Sequence, residues 1–320
     1  MQKSVAFTGP RKAELIDNTC DGSPLDPKEI AGRTFATLIS PGTELNWGYD
    51  TPNEKPSFPG YAAVFEVDAV GAEVTHVKAG DRVFSMGQHG SRQRRWAADA
   101  SIVPTALSSS EALFARFAAI SWSTLTTTTI RPPQRVLVMG LGIVGNMASQ
   151  LFQAAGYEVT AIEPSESRRK LANACGIMDA RPVIPRDDAS FSVGLAIDCS
   201  GHEQAVIDAC QVVRKRGEVV LIGVPWKQRC DATAFQVMHA VFHRYLVLRS
   251  GWEWEVPPQP RDFTAGSMIE NFRAALGWLA TGRLKASGLY RIGSPSDAGR
   301  IYDDLFHGRG DGLSVVLDWA

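Results

Sequence analysis

The chain has 320 residues, 44% of them hydrophobic and 21% charged, which is typical of a globular protein large enough for two domains. Its formal net charge of −1 gives no overall basic field that would favour a nucleic-acid partner. No apolar run reaches the roughly 18 residues that cross a bilayer, so we expect no membrane partner. The N-terminus turns polar too early for a signal peptide. An odd number of cysteines without a C-x-x-C pair indicates reduced thiols in a cytoplasmic protein. They are Cys20, Cys175, Cys199, Cys210 and Cys230.

Residues 1–108 carry short strand-like runs, at 34–39, 62–67 and 82–85, separated by glycine, proline and aspartate. This succession of short strands and turn residues predicts a small, barrel-like β domain. A basic cluster at 92–95 (R-Q-R-R) is interpreted as a solvated loop, with a local anion contact as the alternative. Residues 109–127 have a helical pattern, and serines at 108–110 are available as caps.

From Pro132-Pro133 onward, β and α patterns alternate, which predicts βαβ crossovers and a parallel sheet covered on both faces. Strands are predicted near 135–140, 158–163, 193–199, 217–223 and 245–250, and helices near 145–156, 165–175, 203–215 and 233–243.

Beyond residue 260 the pattern changes to two helices, near 267–282 and 295–307, and a final strand at 313–318. This tail is too small to fold alone, so we expect it to pack on the β-rich front of the chain. The prediction is an α/β protein in which residues 1–126, completed by 257–320, form one domain and residues 127–256 form the other.

The run V-L-V-M at 136–139 enters three glycines with G-x-G-x-x-G spacing, and a helical pattern follows at once. Gly140 permits the tight turn, Gly142 lets the backbone approach a pyrophosphate, and Gly145 lets the helix pack closely on the strand. The helix that opens at Ile143 and Val144 offers free N–H groups and its positive dipole end to the phosphates. This combination predicts a dinucleotide site.

Glu163 ends the second apolar run, where a carboxylate meets the adenosine ribose diol in such folds. It favours NAD(H) over NADP(H), because it would repel a 2′-phosphate. Ser165, Arg168 and Arg169 are contrary evidence, since each could face a phosphate, although Arg168 could also stack on adenine. Three further residues at predicted strand ends are expected to line the cofactor crevice, namely Ser200, Gly223 and Val224.

An ordered set of motifs resembles the medium-chain dehydrogenase/reductase superfamily, whose members join a GroES-like β-barrel domain to a Rossmann doubly wound parallel-sheet domain. The motifs are S-P-G-T-E-L at 40–45, F-P-G-Y at 58–61, V-G at 70–71, A-G-D-R-V-F at 79–84, the glycine motif, D-C-S-G at 198–201 and G-E-V-V-L-I-G at 217–223. The G-T-E and P-G-Y motifs and the L-D-W ending at 317–319 are most similar to the bacteriochlorophyllide a dehydrogenase-like subgroup.

The resemblance implies a catalytic zinc, yet this chain departs from the family at its ligands. Pro41 stands at the first ligand position, Tyr61 followed by Ala62 replaces the ligand histidine motif, and residues 120–123 (I-S-W-S) offer no usual third ligand. Residues 88–95 replace the structural zinc lobe of four cysteines. We therefore expect no zinc.

Four residues at or near the lost metal site are candidates for catalysis by resemblance. Thr43 matches the family's proton-relay hydroxyl, and Tyr61 could donate a hydrogen bond or a proton to an oxyanion. Glu44 matches an acidic position beside the metal, and His89 lies in a loop that would rim the cleft. Each could instead be structural: a turn threonine, a packed tyrosine, a loop-holding glutamate or an exposed histidine.

The resulting function is hydride transfer between NAD(P)(H) and a carbonyl or alcohol carbon without zinc. Reduction of a quinone or enone C=C bond and non-catalytic nucleotide binding remain alternatives. A large or aromatic small-molecule substrate is suggested by Trp47, Tyr49, Trp122, Trp252 and Trp254, although such aromatics also occur in cores. A homodimer is implied by the resemblance, with the strand near 245–248 as an edge for pairing.

Overall fold

The computed structural model describes residues 2–18, 23–52, 55–188 and 190–320, so that Cys20 lies outside the described residues. The chain forms two compact units. Unit 1 contains residues 1–116, 272–281 and 286–320, and unit 2 contains residues 117–271 and 282–285. These units differ from the predicted domains, because residues 117–126 and 257–271, assigned there to the β-rich domain, lie in unit 2.

The first elements belong to unit 1: β1 Gln2–Gly9, β2 Lys12–Asn18, β3 Glu29–Leu38, α1 Pro41–Glu44, β4 Ala63–Val70, β5 Arg82–Ser85, β6 Arg92–Trp96, β7 Ser101–Ile102 and α2 Ser109–Ala112. Next come α3 Ala115–Thr127, β8 Arg135–Met139, α4 Ile143–Ala154, β9 Glu158–Ile162, α5 Glu166–Ala174, β10 Ala180–Arg181, β11 Val193–Asp198, α6 Glu203–Val212, β12 Val213–Leu221, α7 Ala234–Arg244 and β13 Val247–Ser250. The tail contains α8 Met268–Ala280, β14 Tyr290–Gly293, α9 Ala298–Phe306 and β15 Ser314–Asp318.

The larger sheet of unit 1 has the order β14-β15-β3-β4-β5-β7, with β6 also paired to β3, and β1 and β2 form a separate hairpin. The tail joins this sheet because β15 pairs antiparallel with β3, with Val316 opposite Leu38. Tail helix α9 contributes Ile301 and Tyr302 to a core that also contains Phe7 and Tyr49. The front and the tail of the chain therefore share one sheet and one hydrophobic core.

The basic cluster at 92–95 is a strand and not a solvated loop, so that prediction was wrong. Strand β6 pairs antiparallel with β3, and Gly32 lies opposite Gln93. Arg94 forms an ion pair with Glu29 at 2.6 Å, and Arg92 forms one with Asp68 at 2.7 Å. Ion pairs and ladder hydrogen bonds compensate for the absence of an alternating apolar face.

Unit 2 contains a six-stranded parallel sheet with the order β10-β9-β8-β11-β12-β13. Counted along the chain within this sheet, the order is 3-2-1-4-5-6, the order of Rossmann dinucleotide-binding sheets. Alternate residues of β8 face opposite sides: Val138 packs in one core with Phe152 of α4, and Leu137 packs in the other with Ala209 of α6. Burial on both faces explains why the central strands β8 and β11 are apolar almost throughout.

The predicted α/β fold class, with a GroES-like domain and a Rossmann domain, is confirmed. The predicted strand at 245–250 starts only at Val247, because Tyr245 adopts a left-handed conformation (φ 55°) that ends α7. No helix in the described part of the chain has the length and apolarity that a membrane crossing requires.

Candidate active site and cofactor cradle

The turn after β8 has the geometry that the glycine motif predicts. Gly140 has φ +91°, a conformation that favours glycine, and its N–H donates to the Ile162 carbonyl at the end of β9. Helix α4 begins directly after Gly142, which occupies the N-cap without a capping side chain. The first N–H groups of α4, including those of Ile143 and Val144, have no partner within the helix. They are suited to bind a phosphate.

Gly142 and Gly145 are required for different reasons. A Cβ added at Gly145 would lie 1.8 Å from the Gly140 carbonyl oxygen, so close packing of the helix on the turn excludes a side chain there. A Cβ added at Gly142 would meet no protein atom within 4 Å, and its φ of −64° is available to any residue. The protein's own packing does not demand glycine at 142, which leaves the close approach of a ligand as the reason for it.

Glu163 lies at the carboxyl end of β9 and is buried, with 5% of its surface exposed. One carboxylate oxygen accepts a hydrogen bond from the Leu141 N–H at 2.9 Å, and the other accepts one from the Ser165 N–H at 2.9 Å. Arg168 is half exposed, and its guanidinium is 3.6 Å from the carboxylate. Glu163 therefore holds the glycine-rich turn in place, and each of its oxygens retains a further lone pair for a ribose hydroxyl.

The turns after β11 and β12 pack against the glycine motif. A Cβ on Gly140 would lie 3.1 Å from the Ser200 Cβ, and a Cβ on Gly223 would lie 2.3 Å from the Gly201 nitrogen. Thus the carboxyl ends of β8, β11 and β12 bring Gly140, Ser200 and Gly223 together, and Val224 is exposed beside them. This edge includes the point where the strand order reverses, which is where open α/β sheets bind their ligands.

Asp198 is a member of this cluster that the sequence analysis did not single out. Its buried carboxylate accepts hydrogen bonds from the Ser200 hydroxyl at 2.6 Å, the Ser200 N–H at 3.0 Å and the Gly201 N–H at 3.1 Å. Burial raises the pKa of Asp198 above its usual value, although these hydrogen bonds oppose the rise. The D-C-S-G motif carried the signal, since an aspartate two residues before a serine often closes such a turn.

In unit 1, three hydroxyl groups come together at the position where the resemblance places zinc. The Tyr61 hydroxyl is hydrogen-bonded to the Ser40 hydroxyl, and it lies 3.3 Å from Thr43 Oγ1. Pro41 is suited to the first position of helix α1 because it lacks an N–H that would stay unpaired there. Ser40 is the N-cap of α1, but its hydroxyl contacts Tyr61 instead of capping the helix.

Arg116 contacts this cluster through the ring of Tyr61. Its guanidinium carbon is 4.6 Å from the centre of the Tyr61 ring, and 5% of the residue is exposed. Burial raises the pKa of the Tyr61 phenol above its usual value, and the charge of Arg116 opposes that rise. The sequence analysis missed Arg116 and Ser40, because no motif spacing links position 116 to position 61.

Glu44 and His89 belong to a buried network beside the hydroxyl cluster. Glu44 accepts hydrogen bonds from the Ser40 N–H at 2.8 Å, from His89 Nε2 at 3.1 Å and from the Tyr302 hydroxyl. His89 Nδ1 is 2.8 Å from the Thr37 hydroxyl. A ring protonated on Nε2 satisfies both of its partners. Burial raises the pKa of Tyr302 well above its usual value, so this phenol keeps its proton and donates to Glu44.

His89 was predicted as a catalytic candidate, with an exposed loop histidine as the alternative; the alternative is wrong, because none of its surface is exposed. A buried imidazole hydrogen-bonded on both nitrogens has no free edge for a substrate. The network instead fixes the 40–44 segment, and Tyr302 of the tail is one of its supports. Glu44 and His89 therefore hold the segment that carries Ser40 and Thr43, and the Tyr61 and Thr43 hydroxyls lie together beside them.

The residues of this cluster do not fit a zinc ion. Zinc sites are built from cysteine, histidine and carboxylate donors. Proline has no donor atom in its side chain, the Tyr61 phenol is occupied by hydroxyls, and Glu44 and His89 already bind each other. Within the described ranges, the one group of three such donors with converging atoms is His202, Glu203 and Cys230 of unit 2.

His202 of this group is the N-cap of helix α6. Nδ1 of His202 accepts from the Gln204 N–H at 3.2 Å, and Glu203 accepts from the Arg229 N–H at 3.0 Å, at the start of α6. The positive end of the helix dipole also disfavours a cation there.

The aromatic residues suggested for the substrate pocket do not share one environment. Tyr49 is 2% exposed and stacks on Tyr302 in the core of unit 1, and Trp122 is buried in α3. The indoles of Trp47, Trp252 and Trp254 are at least half exposed. Tyr49 and Trp122 are therefore packing residues, and the three exposed tryptophans remain candidates.

Comparisons with known proteins agree with this geometry. Residues 144–253 match the family model described as zinc-binding dehydrogenase. An alcohol dehydrogenase of Rhizobium meliloti (strain 1021) is 28% identical over 213 residues, which cover 55% of this chain and 63% of that protein. The match spans less than two thirds of the relative's own length.

Solved structures share the fold over nearly the whole chain. Acetophenone reductase from Geotrichum candidum in complex with NAD has a TM-score of 0.80 at 18% identity, over 99% of this chain and 97% of that one. A zinc-binding dehydrogenase candidate from Sinorhizobium meliloti 1021, bound to NADP, has a TM-score of 0.76 at 18% identity over 99% of each chain. Quinone oxidoreductase of Pseudomonas syringae has a TM-score of 0.77 at 20% identity, over 99% of this chain and all of that one. Residues 144–253 are therefore similar to a zinc-binding dehydrogenase domain, and the chain shares the fold of these dehydrogenase and reductase structures, as its motifs predicted.

Proposed function

We propose that this protein is an NAD(P)(H)-dependent oxidoreductase that transfers hydride between the nicotinamide and a carbonyl or alcohol carbon without zinc. The observation that carries the proposal is the Tyr61 phenol, held by the Ser40 and Thr43 hydroxyls where the resemblance expects a metal. The bound nicotinamide supplies the hydride chemistry, and the protein supplies binding, orientation and charge stabilisation.

The cradle of unit 2 fits a dinucleotide. The N–H groups at the start of α4 face a pyrophosphate, Gly142 leaves room for its approach, and Glu163 offers oxygens to the ribose diol. We favour NAD(H) over NADP(H), because the buried Glu163 carboxylate repels a 2′-phosphate.

Tyr61 takes the part that a Lewis acid would otherwise have. A substrate carbonyl that accepts a hydrogen bond from this phenol is polarised for hydride attack, and the oxygen that becomes negative is stabilised by the same bond. In the structure the phenol O–H donates to the Ser40 and Thr43 hydroxyls, and it would turn from them to a substrate oxygen bound beside the cluster. Free thiols at the four described cysteines fit the cytoplasmic location that we also propose.

The test is an absorbance screen of NADH and NADPH oxidation against ketones, aldehydes, enones and quinones, with protein purified without added metal and again after dialysis against a chelator. We expect carbonyl turnover that chelation leaves unchanged. Turnover of enones or quinones alone would favour C=C reduction, which the likeness to a quinone oxidoreductase also suggests. Tight NADH binding without turnover, or activity that only added zinc restores, would contradict the proposal.

Glu163→Gln tests the cofactor assignment. The Leu141 and Ser165 N–H groups bind different oxygens of Glu163, so glutamine can accept from one of them only, and the variant loses the charge together with one bond to the turn. We expect the ratio of kcat/KM for NADPH over NADH to rise by about 10-fold or more, since a hydrogen bond to a charged group is worth roughly 1.5–3 kcal/mol.

Glu158→Gln is the matched control, because Glu158 lies at the opposite end of strand β9 and is exposed. It should leave the cofactor ratio unchanged. A wild-type protein that prefers NADPH, or an unchanged ratio in Glu163→Gln, would refute the role of Glu163.

A further inference from the structure

Arg116 is a buried cation in direct contact with the aromatic ring of Tyr61. It occupies the first turn of α3, where its N–H donates to the Leu113 carbonyl at 3.1 Å. The backbone thus anchors the side chain, whose guanidinium lies 4.6 Å from the Tyr61 ring centre. A planar guanidinium stacks on an aromatic face in a way that a lysine ammonium does not.

The groups that face Tyr61 differ in their effect on a phenolate. The positive charge of Arg116 favours the ionised form of the Tyr61 phenol and thereby lowers the pKa of Tyr61. Glu44 is negative, and its effect has the opposite sign. The Ser40 and Thr43 hydroxyls are neutral and accept from the phenol O–H; once the phenol is ionised they can donate to its oxygen, so they lower the pKa of Tyr61.

We propose that Arg116 is a positioning residue that holds the Tyr61 ring and stabilises the Tyr61 phenolate, so that this tyrosine can exchange a proton with the substrate oxygen. The inference rests on the proposed function. In carbonyl reduction, hydride from the nicotinamide forms the new C–H bond, the carbonyl π bond becomes an oxygen lone pair, and the Tyr61 O–H proton moves to that oxygen. The phenolate left behind faces Arg116 and regains its proton from water. Alcohol oxidation runs through the same steps in reverse.

The sign of the pH effect follows from this arrangement. Removing the positive charge makes the phenol a weaker acid, so its pKa rises. Reduction needs the protonated form of Tyr61, so kcat/KM for reduction falls as the pH rises through the pKa of this phenol. When the pKa is higher, that fall should occur at higher pH. Oxidation needs the phenolate, so kcat/KM for oxidation rises with pH through the same pKa. That rise should move to higher pH by the same number of pH units.

The experiment measures the Tyr61 phenol directly. The chain has six tyrosines, and replacing all of them with 3-fluorotyrosine allows each to be titrated by ¹⁹F NMR. The Tyr61→Phe variant identifies the Tyr61 resonance. In Arg116→Met, whose side chain can fill the same buried space, we expect the pKa of residue 61 to rise by about 1 to 2 units, since a nearby opposite charge typically shifts a pKa by about 1–3 units. The alkaline limb of the kcat/KM profile should shift equally.

Two further variants separate charge from packing. Arg116→Lys keeps the charge, so its residue 61 should titrate close to the wild-type value even if the lost stacking lowers kcat. Arg95→Gln is the control, since Arg95 is a partly buried arginine of unit 1 in strand β6. It should not move the residue 61 resonance.

An unchanged titration in Arg116→Met would overturn the inference, as would an equal shift in Arg116→Lys. If Arg116→Met does not fold, a shift of 1 unit or more in Arg116→Lys, which retains the charge, would also overturn it. Failure of the proposed function gives a different result. In that case Tyr61→Phe retains full activity, while the NMR shift in Arg116→Met still reports the contact.

Discussion

Replacing Tyr61 with phenylalanine should lower kcat/KM for carbonyl reduction by roughly 10²- to 10³-fold, the usual cost of removing one oxyanion donor or general acid. The substitution removes the hydroxyl and keeps the ring, so the contact with Arg116 is retained. The free energy of unfolding should change little by comparison. Because the lost bond acts mainly in the transition state, the decrease should appear in kcat rather than in KM.

The neighbouring hydroxyls should have smaller, ordered effects. Ser40→Ala removes the close partner of the phenol, and Thr43→Val removes the partner at 3.3 Å. We expect Ser40→Ala to cost more than Thr43→Val, and both to cost less than Tyr61→Phe. Steady-state kinetics and thermal unfolding of each variant check this order.

Tyr49→Phe is the matched control, since Tyr49 is a buried tyrosine in the core of unit 1. It should retain wild-type kinetics, whatever its effect on thermal unfolding. Full activity in Tyr61→Phe would show that another group stabilises the oxyanion. Equal losses in Tyr61→Phe and Tyr49→Phe would point to general destabilisation.

The Rossmann sheet could be predicted from sequence because its strands are buried on both faces and its helices are amphipathic. Strands β8, β9 and β11 could be placed within one residue because they are apolar runs between turn residues. Strand β12 begins four residues earlier than predicted, at a charged stretch, and the two-residue strand β10 was not predicted. Strand β6 lacked this signal. Its arginines are stabilised by Glu29 and Asp68, residues far along the chain that no local pattern links to them.

The residues of the candidate site likewise include some that a local pattern reveals and some that it does not. One turn and the two strands beside it contain four of the site residues, so a local sequence motif could reveal them. They are Gly140, Gly142, Gly145 and Glu163. Family motifs pointed to Thr43 and Tyr61. Arg116 and Tyr302 are brought to the cluster only by tertiary packing, so spacing could not reveal them.

The burial of His89 could not be predicted from the sequence. A histidine between glycines in a loop suggests exposure, yet its ring is fully buried between Thr37 and Glu44. A buried imidazole needs two compensating partners, and both come from the distant segment at 37–44. Local sequence describes the loop but not the partners that bury it.

The two glycines of the cradle should separate cofactor binding from folding. Gly142→Ala adds a methyl group that meets no protein atom within 4 Å, at a φ of −64° that alanine adopts freely. We expect its stability to fall by no more than about 1 kcal/mol, the cost of alanine at an N-cap. Affinity for NADH should fall by about 10-fold or more, because the methyl group stands where the pyrophosphate approaches.

Gly145→Ala should instead damage the fold. Its methyl group would lie 1.8 Å from the Gly140 carbonyl oxygen, so α4 must move away from the turn. Overpacking of this kind typically costs about 1–3 kcal/mol, and it also displaces the N–H groups that face the phosphates. We therefore expect a lower Tm together with lost NADH binding, measured by thermal unfolding and by fluorescence titration.

Gly277→Ala is the control for the glycine-to-alanine change. Gly277 lies in α8, where an added Cβ also meets nothing within 4 Å, and alanine in a helix interior is favoured over glycine by roughly 1 kcal/mol. Its Tm should rise slightly and its NADH affinity should not change. If Gly142→Ala binds NADH as tightly as the wild type, no ligand approaches Gly142, and the cradle must be assigned another role. If Gly142→Ala loses affinity while keeping its Tm, glycine at 142 is explained by the cofactor, since the packing of the chain does not require it.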